Sequence, residues 1–150
     1  MAKKCINLDA TRKYICKEDK ENSTEFIIGM LPARVRAKIL DETITFESSS
    51  DNPNDNAKAI IHSEDRRILG FKFGVKGWKN LLGPNDENMP YQSKSDFMGG
   101  LLVQAIPDDL INIIDPEVLS EVGEEVLKKN ELTEKEAKNS DSQSGAGSKV

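Results

Sequence analysis

Histidine, tryptophan and cysteine are nearly missing from this 150-residue chain, which has one His, one Trp and two Cys. Zinc sites need four Cys or His ligands at set spacings, and Cys5, Cys16 and His62 match no such pattern. The two cysteines therefore read as reduced thiols of a cytosolic protein. Long apolar runs are absent too. Runs such as Ile111-Asn112-Ile113-Ile114 fall far short of the roughly 20 residues that cross a bilayer. Met1-Ala2-Lys3-Lys4 is basic but no apolar stretch follows it, so no secretory signal is expected. The expected location is the cytoplasm in which the chain is made.

What is present is polar. Hydrophobic residues make up 37% and charged residues 31%. That composition allows one domain with a core and leaves part of the chain unstructured. The expected organisation is a single α+β domain over 1–139 and a disordered polar tail over 140–150. Charge is uneven. Residues 1–82 carry 15 Lys/Arg against 12 Asp/Glu, and residues 83–150 carry 6 against 14. The acidic C-terminal half repels nucleic acid and suits a partner with basic patches.

Along the chain, Arg12–Lys17 and Thr24–Leu31 are β-branched and aromatic around a polar cluster, which predicts an antiparallel hairpin. Pro32 suits the first position of a helix, and Val35, Ile39, Leu40, Thr43 and Ile44 keep helical spacing through Ala33–Phe46. Ser48–Asn56 reads as a loop. Residues 57–82 fit a helix through Ile68, Phe71, Val75, Trp78 and Leu82, and fit a strand through Leu69, Phe71, Phe73 and Val75. Helix is preferred, with Ser63 as its cap. Gly83–Pro90 reads as a tight turn and Tyr91–Gly100 as irregular. Pro107 opens a short helix to Ile114.

Asp115 caps the next helix, with Pro116 at its first position. Val118, Leu119, Val122, Val126 and Leu127 form its buried stripe. Glu124/Lys128 and Glu125/Lys129 are favourable i,i+4 pairs. Thr133-Glu134-Lys135-Glu136 is a capping box. The fold class is then α+β: a small N-terminal β-hairpin, a mainly helical body and a disordered C-terminal tail.

Candidate chemistry is sparse. Gly70, Gly74 and Gly77 lack the spacing and the Gly-Lys-Ser/Thr of a phosphate loop and read as turn or packing glycines. Asp51, Asn54, Asp55 and Asn56 resemble a calcium loop, but Asn56 and His62 stand where Gly and Glu belong. His62 has no assignable nucleophile or orienting carboxylate. Lys72, Lys76, Lys79, Arg66 and Arg67 cluster in sequence, within an acidic chain. No catalytic, cofactor-binding or metal-binding residue is expected, and the chain reads as a non-enzymatic interaction protein. Trp78, the only tryptophan, reads as a core anchor or, flanked by Lys76 and Lys79, as an exposed contact, with the core reading preferred. The residues expected to meet a partner are Trp78, Phe71, Val118, Leu119, Val122 and Val126, as apolar anchors.

The order of features carries a resemblance. Thr11-Arg12-Lys13-Tyr14-Ile15 and Thr24-Glu25-Phe26 lead to Leu31-Pro32-Ala33-Arg34-Val35-Arg36-Ala37. Gly74-Val75-Lys76-Gly77-Trp78-Lys79-Asn80 and Met89-Pro90-Tyr91 follow. The chain then runs through Ile113-Ile114-Asp115-Pro116-Glu117-Val118 to Leu132-Thr133-Glu134-Lys135-Glu136-Ala137-Lys138-Asn139. Over roughly residues 11–140 this resembles small proteins encoded with the tail genes of long-tailed bacteriophages, similar in role to tail assembly chaperones. The resemblance implies a non-enzymatic protein that binds the helical tape measure protein, keeps it soluble and recruits tail-tube subunits in the host cytoplasm. It also implies that the protein leaves the finished virion, and that short and frameshifted long forms exist. A homo-oligomer is compatible with it. No nucleic acid or membrane is implied. The alternative is a structural virion protein of the tail or head–tail junction.

Overall fold

Phe26 and Ile28 point to one side of a strand and are fully buried, which sets the centre of the fold. In the computed structural model, residues 2–17, 23–47 and 57–132 are described. Strand β2 (Glu25–Gly29) lies between β1 (Thr11–Ile15) and β5 (Val75–Lys79) in an antiparallel sheet. The β1–β2 pair is the expected hairpin, with Tyr14 opposite Phe26 and Arg12 opposite Ile28.

Helix α1 (Ala33–Thr43) follows Pro32, which sits one position before the helix rather than at its first residue. The expected extension to Phe46 does not occur. Thr43 turns its Oγ1 back to donate to the Ile39 carbonyl at 2.7 Å. Ile44–Glu47 forms strand β3 and pairs with β4 (Lys58–Ile61). Ile44, Thr45 and Phe46 are β-branched or aromatic, and a partner strand outweighs their place in the helical stripe. The expected loop at 48–56 and the calcium-loop comparison lie outside the described residues, as do the capping box from Thr133 and the tail.

Residues 57–82 are strand, helix and strand in turn, not one helix. Helix α2 spans Ser63–Gly74, with His62 at the capping position and Glu64 and Asp65 in its first turn. Strand β5 then hides Val75 and Trp78, three residues apart. A bulge explains that spacing. Ile28 faces Val75 and Ile27 faces Gly77, so Lys76 is an extra residue in the ladder. One inserted residue turns a strand's period of two into a spacing of three, which imitates a helix.

Strands β6 (Lys94–Met98) and β7 (Leu101–Ala105) form a hairpin, where an irregular segment was expected over 91–100. Gly99 and Gly100 have φ of 62° and 80°, the left-handed backbone of a tight hairpin turn. Helix α3 (Asp108–Ile111) starts after Pro107. Helix α4 (Pro116–Lys129) begins as expected, with Asp115 Oδ1 accepting the Glu117 N–H at 2.8 Å. With four helices and seven strands among the described residues, the fold is α+β, but the body is an even mixture rather than mainly helical.

Helices α2 and α4 pack closely, and glycine makes that approach possible. A Cβ at Gly74 would overlap Val126, and one at Gly123 would overlap the Arg67 carbonyl. The core joins β2, β5, α1, α2 and α4 through Phe26, Phe71, Trp78, Ile39 and Val122. No helix among the described residues is long and apolar enough to cross a membrane.

Candidate functional site

The anchor residues named from sequence collect in the interior. Phe71, Val122 and Val126 are fully buried, and Trp78 and Leu119 are 8% exposed. Trp78 Nε1 donates to the Met89 carbonyl at 2.7 Å, and its ring meets Tyr91 edge-on at 4.9 Å. Phe26 and Phe71 pack on its other sides. The indole is satisfied within the fold, as are the α4 stripe residues that face α2. Of the six, only Val118 retains an open flank.

The basic sequence cluster disperses. Arg66 is buried, with Nε donating to Thr43 Oγ1 at 2.9 Å. Arg67 bridges Glu64 at 2.7 Å and Glu124 at 3.1 Å. Lys72 lies between Asp96 at 3.1 Å and Asp108 at 2.9 Å. Lys76 Nζ donates to the Phe73 carbonyl at 2.8 Å, and burial pushes its pKa down. Lys79 belongs to β5. These five residues make no continuous basic face. Gly70 and Gly74 pack against α4 and Gly77 against Ile27, as packing glycines do. His62 Nε2 lies 3.0 Å from Thr45 Oγ1, a contact between two neighbouring elements. Among the described residues no three His, Cys, Asp or Glu side chains converge as metal ligands do.

Two depressions open on the surface of the described residues. The larger, about 380 Å³, lies where the lead-in to β1 passes the start of α1 and strand β7. Leu31, Val35 and Phe73 form its floor, Leu8 and Pro32 its walls, and Lys76 part of its rim. Apolar floors with a few polar groups at the edge are what binding grooves offer. The smaller depression, about 250 Å³, lies between β2 and the first turns of α4. Phe26, Leu81 and Val118 line it, with Glu117 and Glu121 at the edge.

Glu121 Oε2 accepts the Tyr14 hydroxyl at 2.6 Å and the Lys17 N–H at 3.1 Å. Burial and the adjacent carboxylate raise the Tyr14 pKa, so Tyr14 stays a hydrogen-bond donor across ordinary pH. The sequence signal for this edge was present, since Glu117 and Glu121 are four apart on a helix whose stripe includes Val118. The larger groove had no such signal, because its lining joins Leu8, Leu31, Phe73 and Val103 from distant parts of the chain.

Apolar side chains also stand in solvent. Phe97 is 71% exposed and Leu102 is 62% exposed. The two face each other across the β6–β7 ladder. Their alternation around Gly99-Gly100 was readable as a hairpin.

The larger groove and the Phe97/Leu102 face can hold apolar segments of another chain. No protein-family model matches this chain, and neither the curated proteins nor the solved structures include a significant match.

Proposed function

We propose that this chain is a non-enzymatic morphogenesis protein of a long-tailed phage, a tail assembly chaperone that holds the tape measure protein and recruits tail-tube subunits. The observation that carries the reading is the open apolar groove of about 380 Å³ between Leu8, Pro32 and Phe73. A long helical partner has an apolar stripe that must be covered before assembly, and a groove with an apolar floor covers side chains of that kind. The order of motifs from Thr11 to Asn139 supports the tail-gene context. The apolar anchors assigned from sequence act in this reading by shaping the groove-bearing domain, and Val118 by direct contact.

A second reading, a structural protein of the tail or head–tail junction, is favoured by the β6–β7 hairpin. Among the described residues its strands pair only with each other, and Phe97 and Leu102 face outward. Open edges with an apolar face are templates for contacts between copies.

Quantitative mass spectrometry of infected-cell lysate and purified virions separates the two. The chaperone reading expects abundance in lysate, absence from virions, and co-purification of tagged chain with the tape measure protein. A fixed number of copies per virion overturns it in favour of the structural reading.

A further inference from the structure

The smaller depression joins an apolar floor to negative charge that the described residues leave unneutralised. Glu117 and Glu121 lie one turn apart on α4, where like charges repel. Among the described residues the Glu117 carboxylate makes no hydrogen bond or ion pair. Among the described residues Glu121 takes only the Tyr14 hydroxyl and the Lys17 N–H, neither of them a cation. The next carboxylates along α4 are different. Glu124 is paired with Arg67, and Glu125 with Arg12 and Lys128. So the two glutamates of α4 that no cation among the described residues meets are the two that border the depression of Phe26, Leu81 and Val118.

We infer that this depression is a docking site for a lysine- or arginine-bearing amphipathic helix of a partner protein. An apolar side chain of that helix enters between Leu81 and Val118. Basic side chains one turn apart on the same helix meet Glu117 and Glu121, since three- or four-residue spacing matches on both helices. The Tyr14 hydrogen bond holds Glu121 in place, so little side-chain freedom is lost on binding. The inference rests on the partner-binding reading above and names the chemistry of the partner.

The test titrates the isotopically labelled full-length chain, followed by NMR, with three synthetic helical peptides of about 18 residues. One carries leucine and lysine at helical spacing, one leucine and glutamate, and one serine and lysine. The leucine–lysine peptide should give saturable shifts centred on Thr24, Leu81 and Val118. E117Q with E121Q should weaken it about tenfold and flatten its salt dependence. The side-chain amide that E121Q introduces still offers Tyr14 an acceptor. E117Q alone disturbs no bond, yet should weaken binding about threefold.

Several results would sink the inference. These are equal binding of the glutamate or serine peptide, shifts centred on the Leu8–Phe73 groove, and no binding at millimolar peptide. None of these depends on where the protein resides in the virus. A structural role found in virions would therefore defeat the chaperone reading while leaving the docking site standing.

Discussion

The Asn130 side chain takes the place of a missing strand beside Leu31. Its Oδ1 accepts the Leu31 N–H at 2.8 Å, while Nδ2 donates to the Gly29 carbonyl at 3.1 Å and to the Val126 carbonyl at 2.9 Å. One buried amide thereby ends α4 and satisfies the backbone where β2 hands over to α1. Removing it leaves buried donors and acceptors unpaired, at about 1–3 kcal/mol for such a group. Asn130→Ala should therefore lower the unfolding free energy by about 3 kcal/mol, read as a lower urea midpoint with an unchanged slope. A loss under a few tenths would mean that water replaces the amide.

Gly74 and Val126 test the helix contact. Alanine is the better helix former by about 1 kcal/mol, but its Cβ would overlap Val126. Gly74→Ala should destabilise by about 1–3 kcal/mol through overpacking. Val126→Ala alone should cost about 2 kcal/mol through the cavity it leaves. Because the second change makes room for the first, the double variant should be more stable than the sum predicts. Simple additivity, measured by thermal unfolding, would show that α2 and α4 adjust independently.

Lys72 ties α2 to Asp96 of the hairpin and to Asp108 of α3. The Lys72 hydrogen bond holds the Asp96 carboxyl below its ordinary pKa. That contribution is complete above the ordinary value of 3.8 and is lost as pH falls through the lowered one. Burial opposes the Lys72 charge, but Asp108 and Asp96 raise its pKa overall. This second contribution is complete below the ordinary value of 10.5 and is lost as pH rises through the raised one. Lys72→Met should flatten the stability profile at both ends and cost about 1 kcal/mol or less at neutral pH, since both carboxylates are partly exposed. Unfolding measured from acid to alkaline pH checks this. An unchanged profile would place the pH dependence elsewhere.

Phe97 and Leu102 serve the surface more than the core. Replacing both with serine should change stability by less than about 1 kcal/mol, since neither fills the interior. It should also reduce binding of a hydrophobic dye and any self-association seen by sedimentation. A large loss of stability would show that the pair holds the hairpin together.

Residue order was most informative where structure is local. The Asp115-Pro116 start and the stripe of α4 depend on neighbours within about four positions, and both stand as read except at Val118, which is only half-buried. The β1–β2 hairpin was legible from two β-rich segments around a polar cluster. The turn at Gly83–Pro90 is likewise present, closed by the Gly83 N–H on the Glu87 carbonyl at 2.7 Å. The helical ion pairs were not legible in detail. Glu124 reaches across to Arg67, and Glu125 pairs with Arg12 and, at i,i+3, with Lys128, so among the described residues neither expected i,i+4 pair forms.

The α+β class, the Asp115-capped helix α4 and the lack of any membrane-length apolar helix among the described residues could therefore be had from the order of residues. They follow from propensity, capping and periodicity over short stretches. Only the tertiary structure decided that Val75 and Trp78 share a strand face, because the bulge at Lys76 exists only once β2 is beside β5. It also decided that Trp78 is a core residue, since its hydrogen-bond acceptor and ring partners come from Met89, Tyr91, Phe71 and Phe26. The two grooves belong to the same class of feature. Each is a gap between segments far apart in the chain, and its shape and charge appear only when packing has chosen which side chains are covered.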